Sequence, residues 1–312
     1  MFTRTYQHAA CLGRVGAHRQ PTGPAGTGNG AGTGVDPGPG GAHTGAVATR
    51  ISHLLNQSLS ALRYEPTGKR VRAGLGGQPV LDTTHALLLW EPRRIVPIYA
   101  VPENDVLAEL TASRAEVSRV PDAAGVLTPN DAFALHTAEG TALDVQVPGH
   151  AAQAAAFRLA DPDLGGAVLF DFWAFDWMEE EQPIHAHPRD PFSRVDIIPS
   201  GRHVRVELEG LVLADSRHPL MLFETRIPPR YYLPPADVRW DALVATETSS
   251  MCPYKGTANY WAPASGGRNV AWSYAQPLPE SAALAGLVAF YNERTDFLID
   301  GQRQSRPHTP VG

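Results

Sequence analysis

Cysteine is nearly absent: the 312 residues hold two, Cys11 and Cys252. That excludes a disulfide framework, their spacing fits no metal knuckle, and a reducing cytoplasm is the expected setting. No apolar run approaches the length of a membrane-spanning helix, and the N-terminus lacks the apolar core of a signal peptide. A soluble, non-secreted chain without a membrane partner is therefore expected. Basic excess is missing too. Lys and Arg number 26 against 32 Asp and Glu, a net charge of −6, which argues against a nucleic-acid partner. There is no phosphate loop, because Gly74 to Gly77 lacks the Lys-Ser/Thr ending, and no serine sits in a nucleophile elbow. Nucleotide chemistry has no sequence support, and no cofactor is expected.

Proline and glycine are abundant, at 28 and 29 residues. They crowd into Pro21 to Gly45, a stretch too poor in apolar side chains to offset chain entropy. Residues 1–50 are accordingly expected to be a disordered head, with Cys11 incidental on it. The remaining length suits two domains, at roughly 100–200 residues each.

An internal duplication organises that remainder. Gly68-Lys69-Arg70-Val71-Arg72 matches Gly201-Arg202-His203-Val204-Arg205, and Asp82 to His85 with Trp90-Glu91 matches Asp215 to His218 with Phe223-Glu224. After a one-residue slip, Tyr99, Pro102, Asp105 and Val106 fall opposite Tyr231, Pro234, Asp237 and Val238. A weaker later match sets Gly140-Thr141-Ala142 against Gly256-Thr257-Ala258, and Phe157 and Leu159 against Trp272 and Tyr274. The layout that follows is a first module over 51–182, a linker over 183–199, a second module over 200–300 and a frayed tail over 301–312.

Alternation in Val204-Arg205-Val206-Glu207-Leu208 marks a half-buried strand, and Leu211–Ala214, Leu220–Glu224 and Arg230–Leu233 read as further short strands. The expected fold is mainly β, two small antiparallel modules in tandem. A C-terminal helix is expected in each, opened in the second copy by Pro279 and Glu280 and carrying Leu284, Leu287, Val288 and Tyr291 on one face.

Chemistry-bearing residues concentrate after Thr246. Cys252 lies three residues from Lys255, whose charge favours the reactive thiolate. The plain alternative is a buried structural thiol beside a surface lysine. Tyr231, Tyr260, Trp272 and Tyr274 supply aromatic faces with polar handles, suited to a ligand pocket and equally to a core. In the first copy His136, Glu139, Phe157 and Leu159 stand opposite Cys252, Lys255, Trp272 and Tyr274, so thiol, ammonium, indole and phenol are lost together. His218 and Glu224 recur as His85 and Glu91, and either suits proton transfer or a structural hydrogen bond. His185, His187 and Asp190 lack further ligands at metal spacing, so no metal site is expected.

These motifs resemble the bacterial family known as domain of unknown function 427, in the tandem form common in high-GC Gram-positive bacteria. The resemblance runs from about Tyr64 to Asp300. It rests on Val204-Arg205-Val206, Asp215-Ser216, Arg230 to Pro234, Cys252-Pro253-Tyr254-Lys255-Gly256, Ala271 to Tyr274 and Phe290 to Arg294. It implies a compact β module similar to the β-tent (Mss4-like) pairing of sheets in methionine-sulfoxide reductase B and the ligand-binding domain of cereblon. The first copy departs from the family at the Cys-Pro-Tyr-Lys-Gly element. A nucleotidyltransferase-like label attached to the family finds no phosphate-binding or metal-carboxylate feature here, and the single cysteine of the module argues against zinc. Three readings stay open. One is a small-molecule binding module with its site in the second copy. The second is an enzyme with Cys252 as nucleophile or redox thiol, Lys255 tuning it and His218 or Glu224 moving protons. The third is a structural or interaction protein. The oligomeric state is open as well.

Overall fold

Alternating sequence becomes alternating burial: Val204 and Val206 are wholly buried while Arg205 between them and Glu207 after them stay partly exposed. The computed structural model describes residues 48–307 and 309, except 116–117, 121–124 and 130. The expected disordered head and Cys11 therefore lie outside the described residues, apart from Ala48, Thr49 and Arg50. A short helix α1 (Ile51–Gln57) precedes the first module. In chain order that module contains β1 (Arg63–Pro66), β2 (Val71–Leu75), β3 (Gln78–Thr83), β4 (Leu87–Trp90), β5 (Ile98–Val101) and β6 (Glu109–Ala112). It continues through β7 (Ser118–Arg119), β8 (Leu135–His136), β9 (Gly140–Val147), β10 (His150–Leu159), β11 (Val168–Phe170), β12 (Asp176–Glu179) and β13 (Gln182–Ile184). The second begins with β14 (Val195–Pro199), β15 (Val204–Leu208), β16 (Leu211–Ser216), β17 (Leu220–Glu224) and β18 (Ile227–Leu233). It ends with β19 (Leu243–Cys252), β20 (Gly256–Pro263), β21 (Ala271–Ser273), β22 (Val288–Phe290), β23 (Asp296–Ile299) and β24 (Gln302–Arg303).

The fold is mainly β, arranged as two similar modules. Each pairs a seven-stranded sheet with a four-stranded one. The large sheets run β1-β4-β5-β11-β10-β9-β6 and β14-β17-β18-β22-β21-β20-β19; the small ones run β13-β12-β2-β3 and β16-β15-β23-β24. Register matches as well, since Leu88 faces Tyr99 where Met221 faces Tyr231. Between the sheets of the second module lies a core of Val204, Val206, Leu213, Leu233, Val288 and Phe290. The outer face of its large sheet carries a separate apolar layer that includes Leu222, Tyr232, Trp272, Tyr274 and Leu284.

Among the described residues no α-helix closes either module. The spacing of Leu284, Leu287, Val288 and Tyr291 points to a helix, but Pro279–Leu284 forms a 3-10 helix with non-helical Ser281 inside it, and Gly286 turns the chain at φ +71°. The following residues alternate instead, Val288 and Phe290 into the inner core and Ala289 into the outer layer, so a central strand wins. Leu284 still covers the outer face, fully buried there. In the first module the matching stretch forms β11, a 3-10 turn (Phe172–Ala174) and β12. The linker pattern over 183–199 also carries β13 and β14 at its ends, and Gln302 and Arg303 pair with β23 rather than fraying. Among the described residues no helix is long and apolar enough to cross a membrane.

Candidate functional site

The segment Cys252-Pro253-Tyr254-Lys255-Gly256 is the hairpin between β19 and β20. Cys252 pairs with Gly256 across a three-residue loop, and Gly256 takes φ +91°, the left-handed region where a side chain would strain the backbone. A hairpin tip ordinarily points to water, yet Tyr254 and Lys255 are buried. Two segments hold the tip in. From one side the Leu278 N–H donates to the Lys255 carbonyl at 3.2 Å and the Ser281 hydroxyl to the Tyr254 carbonyl at 3.1 Å. From the other the Asp190 N–H donates to the Tyr254 hydroxyl at 2.9 Å.

Turned inward, the Lys255 ammonium meets Glu224 at the end of β17 in a hydrogen-bonded ion pair. Burial by itself would lower the lysine, but the charges of Cys252, Glu224 and Tyr232 and the Glu224 hydrogen bond outweigh it and hold Lys255 above its ordinary value. Beside the pair, Tyr232 accepts a hydrogen bond from Trp272 Nε1 at 3.1 Å, their rings edge-on at 6.2 Å. Burial pushes the Tyr232 phenol up to about 12, against the pull of Lys255 and of the indole N–H. Tyr274 is buried and its phenol raised, by burial first and then by Tyr232 and Cys252. Trp272 also lies 4.6 Å from the Tyr291 ring and 5.6 Å from the Arg230 guanidinium, which is itself clamped by both oxygens of Glu293 at 2.7 and 2.8 Å. At the rim, the hydroxyls of Tyr260 and Ser250 lie 2.6 Å apart, and Cys252 is partly exposed.

Residues 196–301, from β14 to the turn after β23, match the family model described as Domain of unknown function (DUF427). The second module carries a DUF427 domain. No curated protein matches the chain.

Within the DUF427 domain, Cys252, Lys255, Glu224, Tyr260, Trp272 and Tyr274 gather on the outer face of the large sheet. Two other candidates lie elsewhere. Tyr231 packs on the inner face, 6.0 Å from the Phe297 ring, because neighbours on a strand point oppositely and Tyr232 takes the outer face. His218 is exposed in the turn before β17, its N–H bonded to the Ser216 hydroxyl at 3.1 Å. Tyr232, Tyr254, Tyr291 and His187 join the cluster although none of them was a candidate site residue from the sequence. For Tyr232 the signal was strand parity beside Tyr231; for His187, which comes from the chain ahead of β14, local sequence holds none. Two cavities lie apart from the cluster, one of about 560 Å³ near Leu87, Pro102 and Leu164 and one of about 370 Å³ near Leu208, Arg239 and Pro263.

In the first module, Glu91 occupies the place that Glu224 has in the DUF427 domain, and it is hydrogen-bonded on both oxygens. Arg94 Nε donates to Glu91 Oε2 at 3.1 Å, His136 Nδ1 lies 3.1 Å from the same oxygen, and the N–H groups of Thr137 and Ala138 bind Oε1. Burial alone would raise Glu91; His136, Arg94 and the Ala138 N–H together hold it below the ordinary carboxylate range. His136 stacks on Phe157 at 3.7 Å. The ladders confirm Phe157 opposite Trp272, since Phe157 pairs with Leu169 and Trp272 with Ala289. They shift the match around Gly140 by two residues, because Ala142 faces Phe157 where Tyr260 faces Trp272. The ammonium of the second module is thus replaced rather than lost.

Proposed function

We propose that the second module binds a small molecule at the rim formed by Cys252, Tyr260 and Tyr291, above the Lys255–Glu224 pair and the floor of Tyr232, Trp272 and Tyr274. The observation that carries this reading is Lys255, an ammonium only 7% exposed, facing one carboxylate among phenols and a thiol. Apolar side chains of similar volume would fill such a place at equal or lower free energy. A lysine held protonated acts as a fixed charge and donor, which suits recognition of a polar ligand better than proton or amine chemistry. The matching sheet order of the first module supports reading it as a diverged second copy of the domain, with Arg94 and His136 serving its glutamate as structure.

Trp272 in the floor supplies the readout. Titration of the purified protein with fractionated metabolite pools is expected to change tryptophan emission with one fraction, and Tyr260→Phe is expected to weaken that response by about tenfold, the worth of one hydrogen bond to the ligand. Absence of any response from folded protein, or an unchanged one in Tyr260→Phe, would sink the proposal. Partial exposure of Cys252 beside Lys255 favours a second reading, an enzyme using that thiol. Alkylation rate against pH separates the two: a midpoint well below the ordinary thiol value of about 8.5 would favour the enzyme.

A further inference from the structure

The two modules differ at the mouth between their sheets. In the second, the tip of the β15–β16 hairpin and the end of β20 leave a cavity of about 370 Å³. Leu213, Ala242 and Pro263 line it and are buried, the first two belonging to the core between the sheets. Nearer the surface Leu208 is half-buried and Leu211 exposed. Glu209, from the turn of the hairpin, and the Arg239–Asp241 ion pair at 3.2 Å complete the lining. An apolar cleft thus opens from the core toward a charged rim.

In the first module the chain itself covers the matching hairpin tip. Leu143 pairs with Ala156 where Trp261 pairs with Ala271. Past that pair the β9–β10 ladder runs on to Val147 and His150. The His150 ring lies against Gly76, in the turn of the β2–β3 hairpin, so closely that a Cβ on Gly76 would collide with it. In the second module the ladder stops at Trp261 and Ala271, and the chain turns at Gly266, whose N–H donates to the Pro263 carbonyl at 2.9 Å. Glu209 stands where Gly76 stands and takes the same left-handed conformation, φ +51° against +58°. Its Cβ therefore points where such a ring would need to lie. The covering hairpin is shortened, and its seat carries a carboxylate instead.

We propose that the mouth between the sheets of the second module binds a small primary amine with an aromatic or aliphatic body. The neighbouring arginines are committed elsewhere, Arg239 to Asp241 and both Arg205 and Arg303 to Glu207, which leaves Glu209 as the carboxylate in excess. An ammonium donating to Glu209 forms a charge-assisted hydrogen bond, and the apolar body removes Leu208, Leu211 and Leu213 from water. The site opens between the sheets, whereas the Lys255 cluster lies on the outer face of the large sheet, so the inference does not rest on the ligand proposed there.

The test is calorimetric titration of the full-length protein with phenethylamine, with 3-phenylpropionate as the anion of similar body. Saturable binding of one equivalent of the amine is expected, and no saturable binding of the anion. Glu209→Gln should weaken the amine by about tenfold, the worth of one charged hydrogen bond. Ala264→Phe, an exposed position on the lining, should abolish binding by filling the cavity without disturbing the core. Tyr260→Phe should leave it unchanged. Failure of the folded protein to saturate, equal binding of the anion, an amine response that Glu209→Gln or Ala264→Phe leaves intact, or one that Tyr260→Phe removes, overturns the proposal.

Discussion

Lys255 is tolerated in the interior because Glu224, Cys252 and the neighbouring phenols offset its desolvation, and removing the carboxylate alone would leave an uncompensated charge, a loss of about 3 kcal/mol or more. With its pKa raised on folding, its contribution is complete below the ordinary lysine value of about 10.4 and is lost only above it. The neutral range therefore belongs to another residue, His187. Its ring nitrogen Nδ1 lies 2.8 Å from the Pro188 carbonyl, and burial lowers its pKa against the pull of that carbonyl, Asp190 and Glu224. The unfolded chain then binds more protons than the folded one once pH falls below the ordinary histidine value of about 6.5, so stability declines on acidification through that window. His187→Gln is expected to flatten the decline. Urea midpoints for both proteins between about pH 7 and pH 5 check it; parallel curves would show that His187 is not the group responsible.

At the scale of elements, the Cys252–Gly256 hairpin decides where the lysine goes. A Cβ on Gly256 would meet nothing closer than the Gln276 carbonyl oxygen at 3.4 Å, an ordinary contact, so the objection to a side chain there is conformational. Gly256→Ala is expected to cost about 1–2 kcal/mol, read as a lowered Tm. A melt superimposable on the wild type would mean that the turn relaxes without strain. The hairpin was legible as a Gly-closed motif, but its inward tip was not, because the residues holding it come from Asp190 and from Leu278 and Ser281. The strand found where a helix is expected over Leu284–Tyr291 has a related cause. In a short apolar run the spacings of a helix and of a central strand coincide in part, and only the sheets on either side of Val288–Phe290 settle which is adopted.

For the whole molecule, the connection between modules is built in rather than slack. Asp190 is buried and His187 half-buried, Tyr254 of the second module binds the Asp190 N–H, and Arg189 reaches Glu179 of the first at 3.4 Å. Trypsin is accordingly expected to spare the Arg189–Asp190 bond in the folded protein, although composition marks the segment as a linker. Mass spectrometry of limited digests tests this, and early cleavage there would contradict a packed connection. Periodicity and internal likeness in the sequence determined the β class, the pair of similar modules, the strand framework and the place of Cys252, Lys255, Glu224 and Trp272 in one neighbourhood, because strand parity and turn residues act locally. Only the tertiary structure decided that Tyr232 rather than Tyr231 shares that neighbourhood and that His218 stands outside it. It also decided that Arg94 and His136 stand at Glu91 in the first module, where Lys255 stands at Glu224 in the second. Those outcomes depend on which strand faces, turns and connecting segments are brought together over long stretches of chain, and no local pattern encodes that.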